Sequence, residues 1–153
     1  MQQKFMKAAI KQAKIAMDKD EVPVGAVIVV NGKIIARAHN LMEKTQLATA
    51  HAEVLAINKA CKKLKSWRLD NAEMYITMEP CAMCAGAIVN ARIKKVYFGA
   101  YESKSGCAES KFPVLTDSGL NHTTEFFGGI MQEICANMIK NYFKAKRNRK
   151  SLD

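Results

Sequence analysis

Apolar residues recur at three- and four-residue intervals between Lys4 and Met17, at Phe5, Ala9, Ala13 and Ala16 or Met17, and that spacing predicts a first amphipathic helix. The period then changes. Val22–Val30 and Lys33–Ala38 flank Asn31-Gly32, and because both central residues of a type I′ turn need positive φ, this dipeptide predicts a hairpin of two antiparallel strands. A polar segment from Asn40 to Thr49 follows. Beyond it the pattern predicts a helix from about His51 to Leu64, an extended run from Met74 to Met78 and a short helix from Cys81 to Ala91. Val96–Gly99 reads as a further strand, Tyr101–Lys111 as loop, Thr123–Phe127 as a fifth strand and Ile130–Lys146 as a C-terminal helix. Two strand–helix–strand units with connections of crossover length imply that the later strands run parallel. The expected fold is α/β: a mixed five-stranded sheet with helices on both faces, whose ligands sit beyond the carboxyl ends of strands.

At 153 residues, 49% hydrophobic and 25% charged, the chain has the size and composition of one compact domain, taken as 1–153. The longest apolar run, Val24–Val30, falls far short of the roughly 20 residues that cross a bilayer, so no membrane association is expected. Lys4, Lys7, Lys11 and Lys14 precede the first acid, Asp18, which superficially resembles a transit peptide. That stretch lacks Arg and Ser enrichment and a cleavage site, however, and runs straight into the next strand, so a first helix and a cytoplasmic location are expected. Five cysteines are an odd number in a chain large enough to fold without crosslinks, which favours metal or catalytic use. The 24 basic residues against 14 acidic ones give a formal charge of +10, suited to polyanions and to nucleic acid above all. Lys144, Lys146, Arg147, Arg149 and Lys150 concentrate part of it at the chain's end, where a solvated tail is the alternative reading.

Cys81 and Cys84, three apart behind Pro80, would share one face at the start of a helix. There the helix dipole favours the thiolates that zinc requires, with Zn–S distances near 2.3 Å. Thioredoxin-like redox pairs use the same spacing. His51 and Glu53 narrow the choice. Two apart on a regular helix they would point about 200° from each other, so they converge only where the backbone enters the helix, and the apolar pattern starts there. One His and two Cys give three protein ligands, which leave an open position on zinc for water. A structural site would instead be closed by a fourth ligand, for which His39, His122 and Cys107 are candidates. In the open arrangement Glu53 is the group that moves protons.

His-x-Glu with Pro-Cys-x-x-Cys matches the established signature of zinc nucleobase deaminases. The likeness extends through Glu21-Val22-Pro23-Val24-Gly25-Ala26, Asn40, Thr49-Ala50-His51-Ala52-Glu53, Glu79-Pro80-Cys81-Ala82-Met83-Cys84-Ala85-Gly86-Ala87, Arg92-Ile93 and Asn121-His122. On these residues the chain resembles bacterial tRNA adenosine deaminases of the TadA type over nearly its whole length. The resemblance implies a three-layer α/β/α cytidine-deaminase-like fold in a single CMP/dCMP-type deaminase domain. It further implies a homodimer with an RNA surface built partly from the partner subunit. The activity implied is hydrolytic deamination of adenosine to inosine at the wobble position of the tRNA anticodon arm. One zinc ion per subunit would lie on His51, Cys81 and Cys84, with Glu53 catalytic and no organic cofactor. Asn40 would contact the flipped base, and Pro23 and Val24 would line its pocket.

Tyr142 and Phe143 fall where the family's last helix meets the anticodon loop. They would stack splayed bases while Lys144, Lys146 and Arg147 neutralise phosphates, core packing being the other reading of both aromatics. Two departures stand out. Leu47-Ala48 replaces the family's usual Asp-Pro, and Glu109 and Lys111 replace a usual Gly and Leu, which bears on the loop framing the pocket and on RNA contacts of Glu102 and Lys104. Competing functions for the same residues are deamination of free guanine or a cytosine nucleoside, a zinc-stabilised RNA-binding subunit, and a thiol redox protein. The second has no need of Glu53, and the third needs neither His51 nor Glu53.

Overall fold

The computed structural model describes residues 1–152, so the last residue of the expected 1–153 domain lies outside the described part. Its elements are α1 (Gln2–Asp18), β1 (Gly25–Val30), β2 (Lys33–His39), α2 (Met42–Thr45), α3 (Ala52–Leu64), β3 (Ala72–Met78), α4 (Ala82–Asn90), β4 (Lys95–Ala100), β5 (Glu125–Phe127) and α5 (Gln132–Leu152). The five strands form one sheet in the order β2-β1-β3-β4-β5. β1 is antiparallel to both neighbours, while β3, β4 and β5 are parallel, giving the expected mixed sheet. Asn31 and Gly32 both adopt positive φ, 51° and 75°, as the tight turn between β1 and β2 requires.

Strand alternation divides the core in two. Ala26, Ile28, Met74, Ile76, Val96 and Phe98 point to one face and are buried with Ala52, Ala56 and Ala60 of α3 and Ala85 and Ile88 of α4. Val27, Val29, Tyr75 and Tyr97 point to the other and are buried with Phe5, Met6, Ala9 and Ile10 of α1 and Cys135 and Met138 of α5. Small residues on α3 let that helix lie close to the sheet, and the result is three layers.

Several boundaries differ from the pattern reading. β1 starts at Gly25 instead of Val22, because Pro23 has no N–H for a ladder and Val24 N–H turns back to the Val22 carbonyl at 2.8 Å. Helix α2 interrupts the polar segment. Its free N–H groups at Glu43 and Lys44 are satisfied by the buried Glu21 carboxylate at 2.9 and 2.7 Å, a cap supplied from 22 and 23 residues away. Thr124 is drawn out of β5 as its hydroxyl donates to the Ile93 carbonyl at 2.8 Å. α5 continues past Lys146 because no Gly or Pro follows and Arg149 pairs with Asp20 at 3.1 Å.

Candidate metal and catalytic site

β1 begins, and β2, β3 and β4 end, at one edge of the sheet, and α3 and α4 start beside it. The hairpin strand β2 hands the chain to Asn40, whose N–H extends the ladder by donating to the Val24 carbonyl at 3.1 Å. The following loop is closed by Leu41 N–H on the Ala50 carbonyl at 3.0 Å, which returns the chain to His51. His51 is the N-cap of α3, with φ −77° and ψ 150°, and Glu53 sits in the first turn. An extended cap followed by helix is the geometry that lets residues two apart face one site. Cys81 is likewise the N-cap of α4, with φ −74° and ψ 177°. Pro80 therefore stands just outside the helix, which begins one residue later than the pattern predicts, and the shared face of Cys81 and Cys84 is unaffected.

His51, Cys81 and Cys84 present ligand atoms all within 4.8 Å of one another, the one such His/Cys/Asp/Glu group among the described residues. His51 Nδ1 lies 3.7 Å from Cys81 Sγ and 3.4 Å from Cys84 Sγ. Tetrahedral zinc with Zn–S near 2.3 Å and Zn–N near 2.05 Å separates sulfur from nitrogen by about 3.6 Å, so the imidazole and both thiols already stand where one ion would hold them. Among the described residues no fourth ligand closes the set. His39 donates to or accepts from Gln12 Oε1 and Lys19 Nζ, each at 3.0 Å, His122 bonds the Ile93 carbonyl at 2.9 Å, and Cys107 Sγ approaches the Ser105 carbonyl at 3.6 Å.

The protons of the cluster follow its geometry. The thiol of Cys84 beside Cys81, with His51 next to it, pulls the Cys81 pKa down to about 4. Cys84 is pushed up by Cys81 and by burial. His51 is raised chiefly by its hydrogen bond with Cys81, against the opposing effect of burial. The two thiols are thus shifted in opposite directions and the imidazole upward, and because a metal takes thiolates and a neutral imidazole, binding one must expel protons.

A cavity of about 190 Å³ opens over the trio, lined by Val22, Val24, Asn40, Met42, Glu53 and Glu102 among others. Glu53 is 4% exposed and Asn40 6%, and the Glu53 Oε1 and Asn40 Oδ1 atoms have no hydrogen-bond partner in the protein. Burying such atoms unpaired costs about 1–3 kcal/mol each, so two in one cavity mark a site kept for a ligand. Burial raises the Glu53 pKa, which brings a carboxyl toward the range useful for proton transfer near neutrality.

Other expected residues divide. Val24 lines the cavity and Pro23 does not; Pro23 is buried and shapes the chain's approach to β1, with Val22 lining in its place. Tyr142 is 5% exposed and its hydroxyl donates to Asp20, at 3.0 Å to the carbonyl and 3.2 Å to Oδ1, so the packing reading holds for it. Phe143 is 40% exposed, as stacking requires. Lys144 and Arg147 are exposed, while Lys146 lies over the Tyr142 ring at 5.6 Å.

Glu79 directly precedes Pro80-Cys81 in the motif. Buried at 3%, it accepts N–H groups of Glu102 (3.0 Å), Ala108 (3.2 Å), Glu109 (2.8 Å) and Ser110 (2.9 Å), and the Ser110 hydroxyl. Burial pushes its pKa up, but the Ser110 hydroxyl and these amides outweigh that and hold the carboxylate ionised. The carboxylate pins the loop that brings Glu102 and Ser105 to the cavity, and a β-carbon at Gly106 would collide with it. Glu79→Gln should cost about 3 kcal/mol, the loss of one or two charge-assisted bonds. The variant should show a lower Tm and faster limited proteolysis within residues 101–124; an unchanged proteolysis rate there would refute the pinning role.

A family model described as MafB19-like deaminase matches residues 1–147. The tRNA-specific adenosine deaminase of Bacillus subtilis (strain 168) is 50% identical over 146 residues, 95% of this chain and 91% of that one. A solved structure from work on A-to-I editing by tRNA:A34 deaminases at the wobble position of transfer RNA matches with a TM-score of 0.85 at 40% identity, over 88% of this chain and 97% of that one. Guanine deaminase from Bacillus subtilis matches less well, with a TM-score of 0.63 at 35% identity over 95% of this chain and 92% of that one.

Proposed function

The chain belongs to the MafB19-like deaminase family, among the tRNA-specific adenosine deaminases, and from that premise we propose that it hydrolyses the 6-amino group of adenosine in tRNA at the anticodon wobble position. The observation that carries the reading is the pair of unpartnered buried atoms, Glu53 Oε1 and Asn40 Oδ1, in the cavity over His51, Cys81 and Cys84. At about 190 Å³ that cavity is smaller than the roughly 300–1,000 Å³ of drug-sized sites, and it suits one base swung out of its stack.

His51 Nδ1 and the two sulfurs would hold zinc, which when bound supplies a Lewis acid that lowers the pKa of water to about 7. Glu53 takes a proton from the attacking water and delivers it to N1 of the purine. The water oxygen bonds to C6, the C6–N bond breaks, and a second proton carried by Glu53 leaves with ammonia, giving inosine. Asn40 orients the nucleoside through its unpaired amide oxygen. Exposed Phe143 stacks a base, and Lys144 and Arg147 meet phosphates, with Lys146 nearby.

The whole chain acts as a single deaminase domain, located in the cytoplasm; no described helix is long and apolar enough to cross a membrane. Two copies pair through the outward side of α3 and α4, where Trp67 (59% exposed), Met83 (36%) and Leu120 (52%) leave apolar surface open. Zinc-loaded protein incubated with an anticodon stem-loop, free adenosine, free guanine and cytidine should form inosine at the wobble position of the RNA and leave the free compounds unchanged. Turnover of guanine without turnover of RNA would replace this reading with the guanine deaminase one.

A further inference from the structure

The layer formed by α1 and α5 holds most of the chain's excess charge. Four bases stand against one acid in α1 and six against one in α5, which together leave +8 of the formal +10. Only the α5 share has a role so far. In α1, Lys4, Lys7, Lys11 and Lys14 are all exposed, and their spacing of three and four places them within one narrow arc of the helix. No carboxylate answers them. The ion pairs among the described residues are Arg68–Asp70, Lys95–Glu125 and Arg149–Asp20, and Lys4 merely lies over the Phe5 ring at 5.7 Å. Lys7, Lys11 and Lys14 border a shallow groove of about 350 Å³ between α1 and α5, floored by Ile10, Met131 and Ile134.

The helix that carries the stripe packs against Gly25, where β1 begins at the catalytic edge. Just past the end of α1, Asp20 bonds Tyr142 and Arg149 of α5, and Val22 then lines the catalytic cavity. From Lys14 to Lys4 the helix rises about 15 Å, a distance over which a nucleic acid duplex offers several phosphates. We infer that the α1 lysine stripe is a second phosphate-binding surface, which grips the stem of the RNA substrate while the loop enters the cavity. The inference rests on the RNA-substrate reading. Its occupant is fixed by charge complementarity and by the packing of this helix beside the edge where the reacting base must lie. Contact with the backbone alone makes the grip indifferent to stem sequence.

The test is steady-state kinetics on intact tRNA across a salt series, with the wild type, the Lys7→Gln/Lys11→Gln/Lys14→Gln variant and the corresponding triple Arg variant. Neutralisation should raise KM about tenfold at low salt, leave kcat unchanged and flatten the log–log salt slope by about 2. The Arg variant should match the wild type, because charge and helix propensity are both retained. An unchanged KM and slope in the Gln variant, or a change in kcat alone, would overturn the inference. So would lysine-dependent sedimentation with phosphatidylserine vesicles accompanied by an unmoved KM for tRNA, which would assign the stripe to a lipid surface. Should the wild type form no inosine in any tRNA, the functional reading fails by itself. Fluorescence anisotropy of tRNA binding by the same three proteins would then still decide the stripe.

Discussion

Replacing Glu53 by Gln is expected to leave one zinc ion bound per chain and to slow inosine formation by a factor of roughly 10²–10⁴. The carboxyl is 4% exposed and one of its oxygens faces the cavity unpartnered, so no structural bond is lost when that oxygen becomes an amide group. Gln keeps the volume and much of the polarity. It cannot accept the proton that the water gives up, nor return it to the purine ring. Metal content by mass spectrometry and product formation on an anticodon stem-loop separate the two effects. Zinc retained with activity within tenfold of the wild type would remove Glu53 from the reaction, and loss of zinc would make it part of the metal site.

Cys84→Ala should have the second largest effect, and through a different route. Cys84 is fully buried, and its sulfur is 3.4 Å from His51 Nδ1 within a trio whose donors lie inside 4.8 Å. Removing it leaves two ligands, and since metal binding is coupled to folding, both zinc and thermal stability should fall together. Chelation should lower the Tm of the wild type by several degrees and leave that of the variant unmoved. A Tm insensitive to chelator in both proteins would show that no metal supports the fold. The pH dependence has a definite sign: His51 is shifted upward by Cys81, so acid favours the imidazolium, which repels a cation. Metal affinity should therefore weaken as pH falls and recover as the ring deprotonates.

Alternation and turn chemistry make the frame of the molecule legible in its sequence. Asn31-Gly32 marked the hairpin, and the change of period at His51 and Cys81 placed both chemical segments at helix starts. Convergence of His51 with Glu53 could be argued because the geometry of a helix entrance is local. What stayed hidden was produced by distant partners. Glu21 and Glu79 look like surface acids in a sequence, yet each is buried and spent on remote N–H groups, those of α2 for Glu21 and those of the loop after β4 for Glu79. An acid set between a buried strand and Pro-Cys, as Glu79 is, was the available sign. Tyr142 is ambiguous for the same reason: a tyrosine two residues before a basic cluster can serve core or ligand, and Asp20, more than a hundred residues away, decides the matter.

Most of the bonds that hold the loop after β4 end on main-chain amides, and that has a bearing on how such a protein can change over generations. An amide is present whatever side chain projects from the residue, so the letter at exposed Glu109 can be exchanged while the tether persists. The Glu109 and Lys111 variations fall in this tolerant stretch, one end of which is tied next to Cys81. Substrate preference is thereby free to drift at the rim, insulated from the chemistry beneath it.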